Sequence, residues 1–284
     1  MSSARKTSPN KPPLPVSRIS RAQARRIRYL FFDIDDTLTL EGKLPWQALR
    51  ALWRAKEKLG WKVVPVTGRP AGWVDHIARM WPVDGVVGEN GGFYFHLTEG
   101  GRDGRLMRHF LQPEEARREN RAKLLDVFTA LRKEMPHLRL AGDQPYREID
   151  VAIDICEEVE ALSTAEVDRV VKAFRSAGAQ SKISSIHVNS WFGTHDKLTT
   201  CGLFLQEVCG ISFDDALDRI VYLGDSPNDE PMFSRVPLSL GVANVKRFLP
   251  SMQHPPRYLC RKPGGQGFAE AIQHLTELID DNPN

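Results

Sequence analysis

The chain has 284 residues, of which 41% are hydrophobic and 26% charged, with a formal net charge of +3. That length and balance suit a soluble globular protein of one large or two moderate domains. They exclude a strongly basic nucleic-acid-binding surface, because much of the positive excess sits in the first 28 residues.

In chain order, the opening carries Arg5, Lys6, Lys11, Arg18, Arg21, Arg25, Arg26 and Arg28 and no acid, and is rich in Pro, Ser and Lys. Such a composition buries too little surface to offset its ordering entropy, so residues 1–25 are expected to form a disordered basic tail. The tail lacks the apolar core of a secretory signal, and no run in the chain is long enough to span a membrane. Arg28 to Phe32 reads as a buried strand, running into Asp33-Ile34-Asp35-Asp36-Thr37. Pro45 to Leu59 has helical apolar spacing, with Pro45 suited to the first turn and Gly60 to the stop. Trp61 to Val66 is the next apolar run and ends in Thr67-Gly68-Arg69-Pro70. A helix over Ala71 to Met80 and a strand over Val83 to Val87 complete an alternation that predicts a parallel sheet.

Gly88-Glu89-Asn90-Gly91-Gly92 breaks the alternation. Phe93 to Leu97 and Leu106 to Leu111 flank a Gly-rich turn over 100–104 and read as a hairpin. Pro113 to Met135 reads as a long helix, and Arg147 to Ile155 as a half-buried strand. Ser163-Thr164-Ala165-Glu166 matches a capping box, with Leu162 and Val167 as a hydrophobic staple, opening a helix that stops at Gly178. Ile183 to Asn189 reads as one more strand, so this middle segment is an α+β module. From Leu198 the helix–strand alternation returns, with a strand over Arg219 to Leu223 ending in Gly224-Asp225-Ser226-Pro227-Asn228-Asp229. Strands over Pro237 to Val242 and Arg257 to Cys260 and a helix over Gly267 to Ile279 close the chain. The expected organisation is a core of residues 26–90 and 190–284, interrupted by an inserted domain of residues 91–189.

Asp33/Asp35, Thr67, Lys197 and Asp225/Asp229 follow core strands or mark the return to the core, and parallel strands place their carboxyl ends at one edge. Closely placed acids repel, which calls for a shared proton or a metal. Oxygen donors suit Mg²⁺, which takes one or two carboxylates plus phosphate and waters. Lysine suits phosphate, and an aspartate can be a phosphoryl nucleophile. An acidic loop that merely caps the next helix is the plain alternative, but a cap uses one carboxylate. The cysteines Cys156, Cys201, Cys209 and Cys260 lack close metal-ligand spacing and read as buried thiols of a reducing compartment, so a cytoplasmic location is expected.

With these residues in order, the sequence resembles the haloacid dehalogenase superfamily of phosphohydrolases. Its four motifs match Asp33-Ile34-Asp35-Asp36-Thr37, Thr67-Gly68-Arg69, Lys197 and Gly224-Asp225-Ser226-Pro227-Asn228-Asp229. The size and place of the insert resemble the branch with a large α/β cap, which includes sucrose-phosphate, mannosyl-phosphoglycerate and trehalose-phosphate phosphatases. Ser226-Pro227 departs from the Gly and variable residue common before Asn-Asp. The resemblance implies an α/β fold with a Rossmann-like parallel-sheet core and an inserted α+β cap. It implies Asp33 as nucleophile and Mg²⁺ ligand, and Asp35 as acid and base with its backbone carbonyl on the metal. Thr67, Gly68, Arg69, Lys197 and Asn228 would hold or orient phosphate, and Asp225 and Asp229 would complete the metal site.

The function expected is a Mg²⁺-dependent phosphatase of a small organic phosphate, a sugar phosphate first among candidates, acting through an aspartyl-phosphate. A sugar phosphomutase and a non-enzymatic phosphoacceptor module stay open as alternatives. Arg147, Glu148 and Asp150 are expected on an exposed charged face. His187 and His195 are expected to pack or to serve a hinge, and the tryptophans at 46, 53, 61, 73 and 81 to pack. The partner expected is the small-molecule substrate, with no nucleic acid and no membrane.

Overall fold

The computed structural model describes residues 12–98 and 104–280. The chain begins with β1 (Leu14–Pro15), α1 (Arg21–Arg26), β2 (Tyr29–Phe32), α2 (Trp46–Trp53), β3 (Lys62–Pro65) and α3 (Ala71–Met80). Next come β4 (Val86–Gly88), β5 (Phe93–Leu97), β6 (Leu106–Phe110), α4 (Glu114–Glu134), β7 (Val151–Asp154) and α5 (Thr164–Ser176). Then follow β8 (Gln180–Ile183), β9 (His187–Trp191), α6 (Lys197–Val208), α7 (Phe213–Ala216) and β10 (Ile220–Gly224). The chain closes with α8 (Glu230–Arg235), β11 (Leu238–Gly241), β12 (Tyr258–Leu259) and α9 (Gly264–Asp280). The class is α/β, with a six-stranded sheet of order β1-β12-β11-β10-β2-β3 and two separate three-stranded sheets. Two compact units form, residues 1–62 with 214–284, and residues 63–213.

In the first unit the pairings of β1 with β12, β12 with β11, β11 with β10 and β10 with β2 are all parallel. Buried apolar runs such as Leu30-Phe31-Phe32 and Ile220-Val221-Tyr222-Leu223 form these strands, as expected of a sheet covered on both faces. Lys62 ends this unit and starts β3, its N–H donating to the Arg28 carbonyl at 2.8 Å. Helices α1 and α2 pack on α9, which buries Phe268, Ala271, Ile272 and Leu275.

Residues 12–25, expected to lack structure, are ordered. Ser20 and Gln23 make a reciprocal capping box that starts α1, and β1 adds a parallel edge to β12. Val16, Ile19, Ala24 and Ile27 are buried. Four small apolar anchors spaced among charges escape a composition argument, but each finds a place on the core. Residues 1–11 lie outside the described part.

The second unit holds antiparallel sheets β4-β5-β6 and β7-β9-β8. β4 differs from expectation: it pairs antiparallel with β5 and meets the preceding segment only in the parallel bridge Val66↔Val87. The turn over Glu89–Gly91 folds β5 straight back on it, and a hairpin neighbour pairs before a distant strand can. The β5–β6 hairpin forms as expected, although its turn at 99–103 lies outside the described residues.

The strand expected over Ile183 to Asn189 is instead two, β8 and β9. Ser184 makes the turn, its N–H donating to the His187 carbonyl and its Oγ accepting the His187 N–H. The strand expected from Arg147 begins only at Val151, because the 148–150 amides are drawn to Glu89. The capping box at Ser163 and Glu166 opens α5, which packs with α4 on the β7-β9-β8 sheet around Leu124, Val151, Ile153, Val170, Phe174 and Val188.

Ile19 gives a direct test of the ordered opening segment. Ile19→Ala is expected to cost about 2–4 kcal/mol, read from the urea midpoint at constant m-value. A residue in a disordered tail would leave the midpoint where it is.

Candidate active site

In the first unit the site starts from register. Leu223 of β10 pairs with Phe32 of β2, and the Asp33 N–H donates to the Leu223 carbonyl at 2.9 Å. Asp33 and Asp225 therefore leave neighbouring parallel strands at the same edge. Both are buried, and Asp35 is half-buried. The Ile34 carbonyl accepts N–H bonds from Thr37, Leu38 and Thr39, which curls the chain at once after Asp33. Thr37 Oγ1 donates to Asp225 Oδ1 at 3.2 Å, tying the two loops together. Asp36, at φ 58°, serves that curl: its N–H donates to Thr39 Oγ1 and its carbonyl accepts from Asn244 Nδ2.

Asp229 holds the second loop. Its Oδ2 accepts the N–H groups of Asp225 (2.9 Å) and Ser226 (3.2 Å), and its Oδ1 accepts the Tyr222 hydroxyl (2.5 Å). A Cβ added at Gly224 would lie 2.4 Å from Asp229 Oδ2, so only glycine permits this approach. The departure at Ser226-Pro227 is a local helix start. Ser226 is the N-cap, Pro227 takes the first turn, and Ser226 Oγ donates to Asn228 Oδ1 at 2.7 Å. Asp225 thus emerges beside Asp33, with Asn228 and Asp229 on the same loop as Asp225. Among the described residues no cluster of three or more His, Cys, Asp or Glu side chains is placed to hold a metal by itself. Two carboxylates with carbonyl oxygen are nonetheless the donor set a Mg²⁺ ion takes when phosphate and water supply the rest.

In the second unit Thr67, Gly68, Arg69 and Lys197 all meet the turn that follows β4, whose centre is buried. Thr67 is buried, its Oγ1 accepting the Arg69 N–H at 3.0 Å and its carbonyl accepting the Asn90 N–H at 3.0 Å. The centre itself is Glu89, fully buried and at φ 42°. Its Oε1 accepts the N–H groups of Ala71 (3.1 Å) and Glu148 (2.9 Å), and its Oε2 those of Ile149 (2.7 Å) and Asp150 (2.9 Å). Burial, and after it the charge of Asp150, pushes the Glu89 carboxyl up, against Arg147 and the backbone donors. The four N–H groups occupy both oxygens and favour the carboxylate form, because a carboxyl proton would need an acceptor there.

Gly91 places Lys197. It sits at φ 107°, and a Cβ there would lie 2.2 Å from the Asp196 carbonyl oxygen and 3.0 Å from the Lys197 nitrogen. Its own carbonyl accepts the Thr200 hydroxyl at 2.5 Å. Asp196 caps α6 by accepting the Thr199 N–H at 2.7 Å, and Lys197 in the first turn is buried.

Arg69 is spoken for. Its Nη2 donates to Glu157 Oε1 at 2.6 Å, its Nη1 reaches Asp143 Oδ2 at 3.2 Å, and the guanidinium lies over Trp73. Arg147 and Asp150, expected on an exposed face, are buried, while Glu148 is half-exposed. Arg147 donates to Asp143, Asp150 and the Gly68 carbonyl, and Asn189 Nδ2 donates to Asp150 Oδ2 at 3.0 Å. Burial opposes the Arg147 charge, but Asp150, Asp143 and Glu89 outweigh it and raise its pKa. Alternating Ile149, Val151, Ile153 and Ile155 promised outward neighbours; the turn at Glu89 reverses that for Arg147 and Asp150.

No family model matches the chain. Over 247 residues it is 25% identical to the phosphoglycolate phosphatase of Methanobrevibacter smithii, covering 85% of this chain and 95% of that one. Its fold matches the sucrose-phosphatase of Synechocystis, solved with sucrose and phosphate, at a TM-score of 0.58 and 17% identity, covering 88% and 98% of the two chains. It also matches a phosphatase of the haloalkanoate (HAD) enzyme superfamily from Bacteroides thetaiotaomicron, at 0.58 and 19%, covering 88% and 95%. Its fold is thus similar to that of HAD superfamily phosphatases. Among the described residues, no helix is long and apolar enough to cross a membrane.

The cysteines are not all buried as expected: Cys201 and Cys260 are, while Cys156 is exposed and Cys209 intermediate. Burial pushes the Cys260 thiol up to about 12. His195 is buried against Trp191, and burial lowers its pKa to about 4. His187 pairs with Glu157 at 2.8 Å. Tyr222 and Glu89 escaped the sequence reading. A tyrosine inside an apolar strand and an acid between glycines were the only signals, and neither reveals its partners.

Glu157 supplies a pH test. Burial works against its carboxylate, but His187 and Arg69 outweigh it and hold its pKa at about 2, against 4.5 ordinarily. A depressed folded-state pKa gives stability that is present above the unfolded value and lost as pH falls toward the folded one. Stability should therefore drop between pH 4.5 and about 2, and Glu157→Gln should flatten that limb of the urea-midpoint profile. At the other anchor, Gly91→Ala is expected to cost about 2–4 kcal/mol, because its Cβ would meet the backbone at Asp196 and Lys197; an unchanged thermal midpoint would contradict the packing.

Proposed function

We propose that this chain is a HAD-type phosphatase of small organic phosphate monoesters, acting through an aspartyl-phosphate on Asp33. The observation that carries it is the burial of Asp33 and Asp225 at the carboxyl ends of two paired parallel strands, with Thr37 joining their loops. The names of the phosphoglycolate and sucrose-phosphate relatives point to the same substrate class.

An Asp33 carboxylate oxygen attacks phosphorus, and the P–O bond to the alcohol breaks. Asp35 gives its proton to the departing oxygen. It then takes a proton from water, whose oxygen attacks phosphorus and restores the Asp33 carboxylate. Thr67 and Lys197 hold the phosphoryl oxygens, and Lys197 offsets their charge. Mg²⁺, when held by Asp33, Asp225 and the Asp35 carbonyl, supplies charge neutralisation for the phosphoryl group. Asp229 acts by positioning, because three donors occupy it and aim the Asp225 backbone. Arg69 likewise fixes its loop through Glu157 and Asp143 rather than holding phosphate. Residues 91–189 serve as the cap that keeps bulk water from the covalent intermediate.

Purified protein with Mg²⁺ should hydrolyse p-nitrophenyl phosphate and lose that activity in EDTA. Asp33→Asn should lower kcat by about 10³-fold or more. Wild-type turnover in that variant would remove Asp33 as nucleophile.

A further inference from the structure

Of the tryptophans expected to pack, Trp61 is buried, but Trp46 and Trp53 are 61% and 48% exposed. Both stand on α2, which runs on into the helical turns Arg54–Lys58. The inner face of this helix is small and apolar: Ala48, Ala51, Leu52 and Ala55 are buried, and α2 packs on α9. From residue 46 to residue 57 the exposed positions are Trp46, Arg50, Trp53 and Glu57. Steps of three and four residues set them in one ridge on the outer face.

Arg54 and Lys58 turn toward α9, donating to Gln273 and Asp280 there. Arg50 stays on the ridge, its guanidinium carbon 4.8 Å from the centre of the Trp46 ring. Neither Arg50 nor Glu57 has an ion-pair partner among the described residues. Trp53 therefore stands between a cation on the turn before it and an anion on the turn after it. Two bare indoles are a large apolar exposure for a helix whose other face already fills a core.

We infer that this ridge is the contact between two copies of the chain, paired antiparallel about a two-fold axis beside Trp53. A two-fold contact is isologous, so a group offered by one copy at one position must be answered by the other copy at a second, and the reverse. The ridge meets that condition. With the axis between residues 53 and 54, Arg50 of each copy faces Glu57 of the other, and the two Trp53 rings meet at the axis. Trp46 then runs past the end of the opposite helix to Gly60, which is exposed and where a Cβ would have no atom within 4 Å. An anionic surface would instead meet Glu57 on the ridge and the exposed Glu277 and Asp280 of α9, which repel it. Tryptophan and arginine are also the side chains that most often carry the binding energy of protein contacts. One ridge per copy is a small contact, so a Kd of about 1–100 μM is expected.

Sedimentation equilibrium of the full chain across that concentration range tests this. Wild type should populate a dimer. R50E and E57R each set like charges together at both symmetric contacts and should weaken the dimer about 10- to 100-fold, and W53A should weaken it too. The decisive sample is an equimolar mixture of R50E and E57R. Each variant repels itself, but one copy of each restores two opposite-charge pairs, so the mixture should dimerise about as tightly as wild type. No folding defect mimics that recovery, because it joins two chains that are each monomeric alone. Wild type that stays monomeric over the range overturns the inference, whether or not phosphatidylserine vesicles take up the monomer. A dimer that R50E, E57R and W53A leave intact uses another surface and overturns it as well. So does a mixture that associates no more tightly than its two components.

Discussion

The parallel register of β2 against β10 is the constraint on which the first unit depends. Parallel strands run their carboxyl ends to one edge, so pairing Phe32 with Leu223 brings Asp33 and Asp225 out side by side. A slip of one residue would turn one acid to the opposite face of the sheet. The register is held by strands buried on both faces, and beyond them by Thr37 on Asp225 and by Asp229 on the amides of its own loop.

The second unit solves a similar problem with a different device. Glu89 and Asn90 occupy left-handed backbone conformations, uncommon for residues with side chains. Such strain persists where the surroundings over-determine it, and four backbone donors on one carboxylate do so here. The same turn seats Lys197 through Gly91 and draws the 148–150 segment inward, which buries Arg147 and Asp150. Around them Arg69, Asp143, Glu157 and His187 form a dense ion network. Buried pairs of this kind add little net stability but penalise any arrangement that separates them. Their role here is to hold the Thr67–Arg69 loop in one shape.

Much of this was legible in the sequence. The strand endings at Asp33 and Asp225, the helix over Ala71–Met80 and the capping box at Ser163 follow from periodicity and local hydrogen-bond chemistry, which act within a few residues. The order of acids, hydroxyl and lysine along the chain suits a phosphoryl chemistry. The ordered segment at 12–26 and the turn at Ser184 were missed for opposite reasons. In the first, a few apolar anchors outweigh a polar composition; in the second, one serine side chain divides what hydrophobicity alone joins.

The sequence by itself determined which residue types stand at strand ends, and so the α/β class and the kind of reaction proposed. Local propensity and alternation are written in neighbouring residues, and these decide both. Tertiary structure alone decided what each polar group does. Asp229 is reached by Tyr222 and two amides, Arg69 by Glu157 and Asp143, and Arg147 by Asp143 and Asp150. Those partners come from distant segments, and the geometry that separates a ligand from a support exists only once the chain has folded.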